Sequence, residues 1–193
     1  MKEQNTTQKY YEENSQAYIE QTMATDMSTQ YALFEKYLSD DACILDVGFG
    51  SGRDMLYFTS KGYSVFGIDV ISKFVEHAQK LGLNVQLADF HSLPFICEFD
   101  AAWACASLLH STDLNCALLN VVKAVKPNGI IYLSMKVGLG TDMVGQRFYR
   151  YVDEIEISQL AKQFNLQILE MSITADKLNR TNQWINVIYK KQG

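Results

Sequence analysis

The sequence is short of the residues that mark several protein classes. It holds two prolines and three histidines in 193 residues. Its four cysteines, at 43, 97, 105 and 116, form no C-x-x-C pair, which excludes zinc-ribbon and thioredoxin-like readings. Each sits in an apolar context and reads as a small hydrophobe in a reducing compartment. No stretch approaches the ~18 uninterrupted apolar residues of a membrane span. The opening Met-Lys-Glu-Gln-Asn-Thr-Thr-Gln-Lys-Tyr has no apolar segment of the kind a secretory leader needs. These absences predict a cytoplasmic chain with no membrane partner, and no metal site is expected. Positive charge is scarce too. Lys+Arg number 17 against 22 Asp+Glu, a net charge of −5, which argues against nucleic-acid phosphates as the main partner.

What is present is a globular composition. Hydrophobic residues are 48% and aromatics 12%, enough for one domain over 1–193 with a substantial buried core. To about residue 40 the chain is polar and helical in pattern. Tyr11, Asn14, Tyr18 and Gln21/Thr22 share one helical face. A second helix is expected from Ser28, as N-cap, to Leu38. From 41 to 190, β-rich runs alternate with helical ones. Strands are expected at 43–47, 63–70, 84–88, 100–106 and 130–137, and helices at 54–60, 72–81 and 114–125. That order implies a Rossmann-like, doubly wound α/β sheet, mostly parallel, with helices on both faces. Gly138-Leu-Gly140 and Gly145 read as a flexible loop, followed by a helix over 153–164. Two late strands, 166–174 and 184–189, flank a polar loop at 175–182 and predict an antiparallel pair.

Chemistry concentrates at Ile44-Leu-Asp46-Val-Gly48-Phe-Gly50-Ser-Gly52-Arg53-Asp54. Glycines between a strand and a helix permit a tight turn that a ligand can approach without Cβ atoms in the way. The G-x-G-x-G spacing fits neither the dinucleotide fingerprint nor the P-loop. Asp46, two residues upstream, would repel a pyrophosphate and suits a ligand bearing a cation or hydroxyls. Asp69 closes the next strand, where a carboxylate can take the hydroxyls of a ribose. Asp89, followed by Phe90, closes the third. Each acid alone could instead be a helix N-cap or turn residue. Three together at consecutive strand ends line one crevice.

The run Asp46-Val-Gly48-Phe-Gly50-Ser-Gly52 resembles the first motif of class I S-adenosylmethionine-dependent methyltransferases. The resemblance implies a seven-stranded sheet whose last strand is antiparallel, and S-adenosylmethionine as cofactor. By it, Gly48, Gly50 and Gly52 pass under the methionine and ribose, and Asp46 meets the amino end. Asp69 holds the ribose hydroxyls, Asp89 the adenine amino group, and Val70 and Phe90 flank the adenine. Ala104 and Cys105, ending strand four, lie against the methionine. Phe49 departs from the small residue usual there and must point away from the ligand. Three further stretches carry a narrower resemblance: Tyr10-Tyr11-x-x-Asn14-x-x-x-Tyr18-x-x-x-Thr22, Trp103-Ala-Cys-Ala-Ser-Leu-Leu-His110 and Trp184-Ile-Asn186. They are similar to small bacterial methyltransferases associated with tellurite resistance.

The acceptor side is less determined. His110, directly after strand four, is the candidate general base; the alternative is a buried histidine that organises the turn before Asp113. Arg53 could pair with the cofactor carboxylate or lie on a helix surface. Lys136, Arg147 and Tyr149, with Tyr11, could frame a small anionic or aromatic acceptor. Tyr18 and Thr22 place residues 1–40 as a lid over the cofactor, since that face carries hydrogen-bonding tips where a packed one would carry Leu and Ile. The expected function is methyl transfer to a small molecule, a thiol or metalloid among the candidates. The competing reading is a non-catalytic adenosyl- or nucleotide-binding module.

Overall fold

The computed structural model describes residues 2–178 and 181–193. Two helices come first, α1 (Lys2–Met23) and α2 (Ser28–Glu35). Strands and helices then alternate: β1 (Cys43–Val47), α3 (Arg53–Ser60), β2 (Ser64–Asp69), α4 (Ser72–Lys80), β3 (Val85–Leu87), β4 (Phe99–Cys105), α5 (Leu114–Ala124) and β5 (Val125–Val137). The chain closes with β6 (Thr141–Val144), β7 (Arg147–Val152), α6 (Glu154–Gln163), β8 (Leu166–Ala175) and β9 (Gln183–Lys191). The parallel strands run in the order β3-β2-β1-β4-β5. β9 lies antiparallel against β5, and β8 antiparallel against β9. The sheet is the expected Rossmann-like one, with its antiparallel strand between two parallel neighbours.

The central strands β1, β4 and β5 are buried on both faces, and their alternate residues enter different cores. Leu45, Ala102, Ala104, Ile131 and Leu133 pack with α5 and α6. Ile44, Ala101, Trp103, Ile130 and Tyr132 pack with α2 and α3 through Phe34 and Phe58. The period of two sends one set to each face. The second core is aromatic. Trp103 is fully buried and stacks on Tyr132, with ring centroids 3.9 Å apart and planes 11° apart. A third cluster of Ile19, Phe49, Met55, Ile71 and Phe74 holds α1 and the glycine loop onto α4.

Two expectations are corrected. The glycine segment after β5 is no flexible loop. It forms the β6–β7 hairpin, in register from Thr141↔Arg150 to Val144↔Arg147. Gly145, at φ +63°, opens a two-residue turn with Gln146, a turn that places glycine first. The hairpin joins the sheet where Lys136 and Val137 of β5 pair with Tyr151 and Val152. Ser28 does not cap α2 with its side chain; its own N–H donates to Asp26 Oδ1 at 2.9 Å. Asp26, two residues earlier, instead takes the Ser28 N–H in an Asp turn.

Gly129 tests the packing of β4 on β5. A Cβ there would lie 2.6 Å from the Asp100 carbonyl oxygen and 2.4 Å from Val125 Cγ1. This is the point where the β4–β5 register shifts between Phe99 and Ala101. Backbone cannot yield as a side-chain end can, so Gly129→Ala is expected to cost about 1–3 kcal/mol. The midpoint of urea unfolding reads it.

Candidate active site

The carboxyl ends of β1, β2, β3 and β4 open on one crevice, and a carboxylate organises its floor. Asp69, ending β2, accepts from the Gly50 N–H at Oδ2 and from the Ile71 N–H at Oδ1, both at 2.9 Å. Burial pushes its pKa up to about 6 against the pull of those amides. The loop between β1 and α3 is left-handed at Gly48 (φ +73°) and Gly50 (φ +55°). Both positions also need their missing Cβ. At Gly48 it would lie 2.6 Å from Ser107 Cβ, and at Gly50 3.1 Å from the Tyr18 ring. The loop is therefore pressed between the turn after β4 and helix α1.

Phe49 does point away. Its side chain is 5% exposed and packs with Met55, Ile71 and Phe74. Its ring occupies the space over Gly67, where a Cβ would lie 2.9 Å from it. The bulky loop residue and the glycine in β2 are complementary.

Helix α1 covers the crevice. It is broken at Asn14 (φ −113°, ψ 17°), whose side-chain amide donates to the Tyr10 carbonyl at 2.8 Å. Three contacts fix it in place. Glu12 accepts from the Ser72 N–H and hydroxyl at the start of α4. Lys73 donates to the Glu12 carbonyl at 2.7 Å. Thr7 Oγ1 accepts from the Phe148 N–H at 2.8 Å.

Two cavities result. The smaller, about 80 Å³, is lined by Gly50, Asp69, Val70, Phe74, Asp89 and Phe90. The larger, about 220 Å³, is lined among others by Tyr10, Arg53, Lys136, Arg147, Tyr149 and Trp184. Tyr11, Tyr18, Gly48, Ala106 and His110 line both, so the cavities share one wall. Tyr18 is held un-ionised, its pKa pushed up by burial to about 12.

The expected site residues fall into three groups. Asp69, Val70, Asp89, Phe90, Gly48, Gly50 and Tyr18 meet around the smaller cavity. Asp89 also caps a short 3-10 turn through the His91 N–H, and the His91 ring bridges from Asp89 to the buried Ser111 hydroxyl. Tyr11, Thr22, Cys105, Lys136, Arg147 and Tyr149 meet around the larger one. There the Thr22 hydroxyl is turned back onto the Tyr18 carbonyl. Asp46, Gly52 and Ala104 line neither cavity. Asp46 lies behind the loop, 2% exposed, with Oδ2 lacking any hydrogen-bond partner among the described residues. Burial and the nearby Asp54 raise its pKa well above the carboxylate range.

His110 is tied at both nitrogens. Nδ1 is 2.7 Å from the Phe148 carbonyl oxygen, which can only accept, so Nδ1 carries the proton. Nε2 then accepts from the Tyr11 hydroxyl at 2.9 Å. Burial pushes the pKa of His110 down to about 4, so the ring is neutral near pH 7.

The sequence did not single out Asp54. Its carboxylate takes Arg53 Nε at 2.6 Å, the Tyr31 hydroxyl at 2.5 Å and Trp103 Nε1 at 2.9 Å. Arg53 also reaches the Thr22 carbonyl at 3.3 Å. One buried acid thus connects α1, α2, α3 and β4. Its only sequence signal is an acid in the first helical turn after the glycine run.

Residues 45–133 match a family model described as a methyltransferase domain. An O-methyltransferase of Pyrenophora dematioidea is 34% identical over 115 residues, 54% of this chain and 43% of that protein. An O-methyltransferase of Aspergillus sclerotiorum is 32% identical over 130 residues, 61% of this chain and 48% of that protein. The chain thus spans less than half the length of these curated relatives. Among solved structures, the 1,6-didemethyltoxoflavin-N1-methyltransferase of Burkholderia thailandensis superposes with a TM-score of 0.82. It is 19% identical, over 98% of this chain and 88% of that one, and was solved with its substrate and S-adenosylhomocysteine. At that identity the likeness establishes the fold, an α/β methyltransferase fold.

Removing the Asp54 carboxylate leaves Arg53 buried without its partner. Asp54→Ala is expected to destabilise the protein by about 3–5 kcal/mol, read as a lowered denaturant midpoint. Trp103→Phe removes one of the donors to that carboxylate and is expected to cost less.

Proposed function

We propose that this chain is an S-adenosylmethionine-dependent methyltransferase acting on a small molecule. One observation carries the reading: two cavities of different character meet at a wall of Tyr11, Tyr18, Gly48, Ala106 and His110. The smaller has a carboxylate at each of two strand ends and apolar flanks, the chemistry of an adenosine site. The larger has cations and aromatic rings, the chemistry of an acceptor site. The matched methyltransferase-domain model and the O-methyltransferase relatives support the same reaction class.

The donor set fits the cofactor. Asp69 offers the lone pairs its two backbone donors leave open, to ribose hydroxyls. Val70 and Phe90 flank the base, and Asp89 faces its amino group. The buried, unpartnered Ser107 Oγ, which lines the smaller cavity, supplies an acceptor beside the loop for an ammonium group, while Asp46, behind the loop, reaches neither cavity. Bound S-adenosylmethionine would supply a methyl carbon on a sulfonium, whose bond electrons return to sulfur as the acceptor's lone pair takes the methyl. The protein's task is orientation and exclusion of water. Helix α1 does the second, as a lid that closes with Tyr11 and Tyr18 over the shared wall. The narrower resemblance to tellurite-associated enzymes offers a compact oxyanion such as tellurite as the competing acceptor, which titration of tellurite onto the protein tests.

Calorimetry with S-adenosylhomocysteine tests the reading. Because its pKa is raised to about 6, Asp69 costs the fold stability progressively from about pH 4, where the unfolded chain ionises, and in full above about pH 6. Hydroxyls that donate to the carboxylate offset that cost, so binding favours the ionised form. Affinity is expected to be flat above about pH 7 and to fall below about pH 6. Asp69→Asn is expected to lower affinity by at least about tenfold at neutral pH and to abolish the pH dependence. Absence of binding by both S-adenosylmethionine and S-adenosylhomocysteine would overturn the proposal. Binding without turnover on any acceptor would leave the adenosyl-binding module in its place.

A further inference from the structure

We infer that the larger cavity binds a planar organic acid as its anion, clasped by Arg147 among tyrosine rings. The inference rests on the methyltransferase reading and names the substrate class of that site.

Arg147 opens β7. Its guanidinium lies 4.8 Å from the Tyr10 ring centroid and 5.5 Å from that of Tyr149, beside the Tyr11 hydroxyl. Among the described residues no carboxylate pairs with it. The other two described arginines each hold one: Arg53 has Asp54 and Arg150 has Glu156. A guanidinium half-buried among aromatic faces, without a counter-charge, is arranged for an incoming anion. Lys136, 6% exposed at the end of β5, stands 3.8 Å from the same Tyr149 centroid.

The charge of the cavity agrees. Its described lining carries four cations, Arg53, Lys136, Arg147 and Lys177, and two carboxylates, Asp54 and Asp176. Asp54 is committed to Arg53, Tyr31 and Trp103. Asp176 accepts from the Trp184 indole N–H and the Leu178 N–H. A chain with net charge −5 has gathered positive charge at this one place. Bound cofactor would carry a net positive charge of its own, matched in the smaller cavity by Asp69 and Asp89, so a neutral acceptor would leave the excess positive charge of the larger cavity uncompensated. An anionic one relieves it.

Tyr10, Tyr149 and Trp184 present flat rings to the cavity, which selects planar ligands over compact oxyanions. The expected base is not free. The groups facing Arg147 are Tyr10 and Tyr11 from α1, His110 from the turn after β4, Lys136 from β5 and Tyr149 from β7. His110 is engaged at both nitrogens and Tyr11 donates to it. An acceptor that arrives ionised brings no proton to remove. His110 is then a positioning residue that holds Tyr11, and through it α1, over the site.

The test titrates 4-nitrophenol, salicylate and lumazine onto the protein, with and without S-adenosylhomocysteine. 4-Nitroanisole serves as the neutral comparator and tellurite as the compact oxyanion. Bound 4-nitrophenol is expected to show the absorbance of its phenolate below the pH at which the free phenol ionises. The anion is expected to bind at least about tenfold more tightly than 4-nitroanisole. Arg147→Gln should remove that preference and Arg147→Lys retain part of it, with S-adenosylhomocysteine affinity within about twofold in both. The absorbance shift in the unaltered protein decides the matter should a variant not fold. Binding by none of the three acids, equal binding of 4-nitroanisole, or binding of tellurite alone would overturn the inference. Failure of S-adenosylhomocysteine to bind, with the anion preference intact, would overturn the methyl-donor reading instead.

Discussion

The Asp69 carboxylate ties two turns together. One oxygen holds the Gly50 N–H and the other the Ile71 N–H. The first bond fixes the left-handed loop after β1, and the second fixes the entry to α4. The glycine loop, the start of α4 and the seating of α1 on both depend on that arrangement. With Gly50 in place, Tyr18 can lie on the loop without meeting a side chain. With α4 in place, Ser72 and Lys73 can bind Glu12 of α1. The helix that covers the crevice is thus aligned at two points by one buried acid. The arrangement costs something, because an ionised carboxylate there is desolvated, and the raised pKa of Asp69 is the sign of it. Under the proposed function, hydroxyls of a ligand that donate to this carboxylate would offset part of that cost.

A second buried acid supports the other half. Asp54 joins Arg53, Tyr31 and Trp103, and Arg53 reaches back to the end of α1. Buried charges of this kind add little net stability over an apolar packing, yet losing one partner is expensive. Their effect is to allow one arrangement of α1, α2 and α3 over the aromatic core. The hairpin β6–β7 completes the enclosure. It delivers Arg147 and Tyr149 to the cavity, and the Phe148 backbone to both Thr7 and His110. Lid, hairpin and the turn after β4 are therefore mutually bonded.

The order of elements was legible in the sequence because strands buried on both faces read as apolar runs and their helices carry stop signals. The strand-end acids were legible because their role depends on position in a sheet that the pattern itself defines. Asp54 was not. A single acid in a first helical turn is ordinary, and only the fold brings Tyr31 and Trp103 to it from 23 and 49 residues away. The hairpin reads as a mobile segment in the sequence because Gly138, Gly140 and Gly145 suggest freedom. Gly145 is a turn residue, and the alternation in Arg147–Val152 marks a strand. His110 lies in the wall that the two cavities share, and its state depends on the Phe148 carbonyl, 38 residues on, and on Tyr11, 99 residues back. Local sequence carries no trace of either contact.

The central claim is that donor and acceptor occupy neighbouring cavities and meet at one wall. A crystal structure with S-adenosylhomocysteine tests it most directly. The account predicts the adenosine between Asp69 and Asp89, the ribose hydroxyls on Asp69, and the sulfur at the wall of Tyr11, Tyr18, Gly48, Ala106 and His110. The larger cavity would stay open beside the sulfur. A ligand seated in the larger cavity, among Lys136, Arg147 and Trp184, with the smaller one empty, would contradict it.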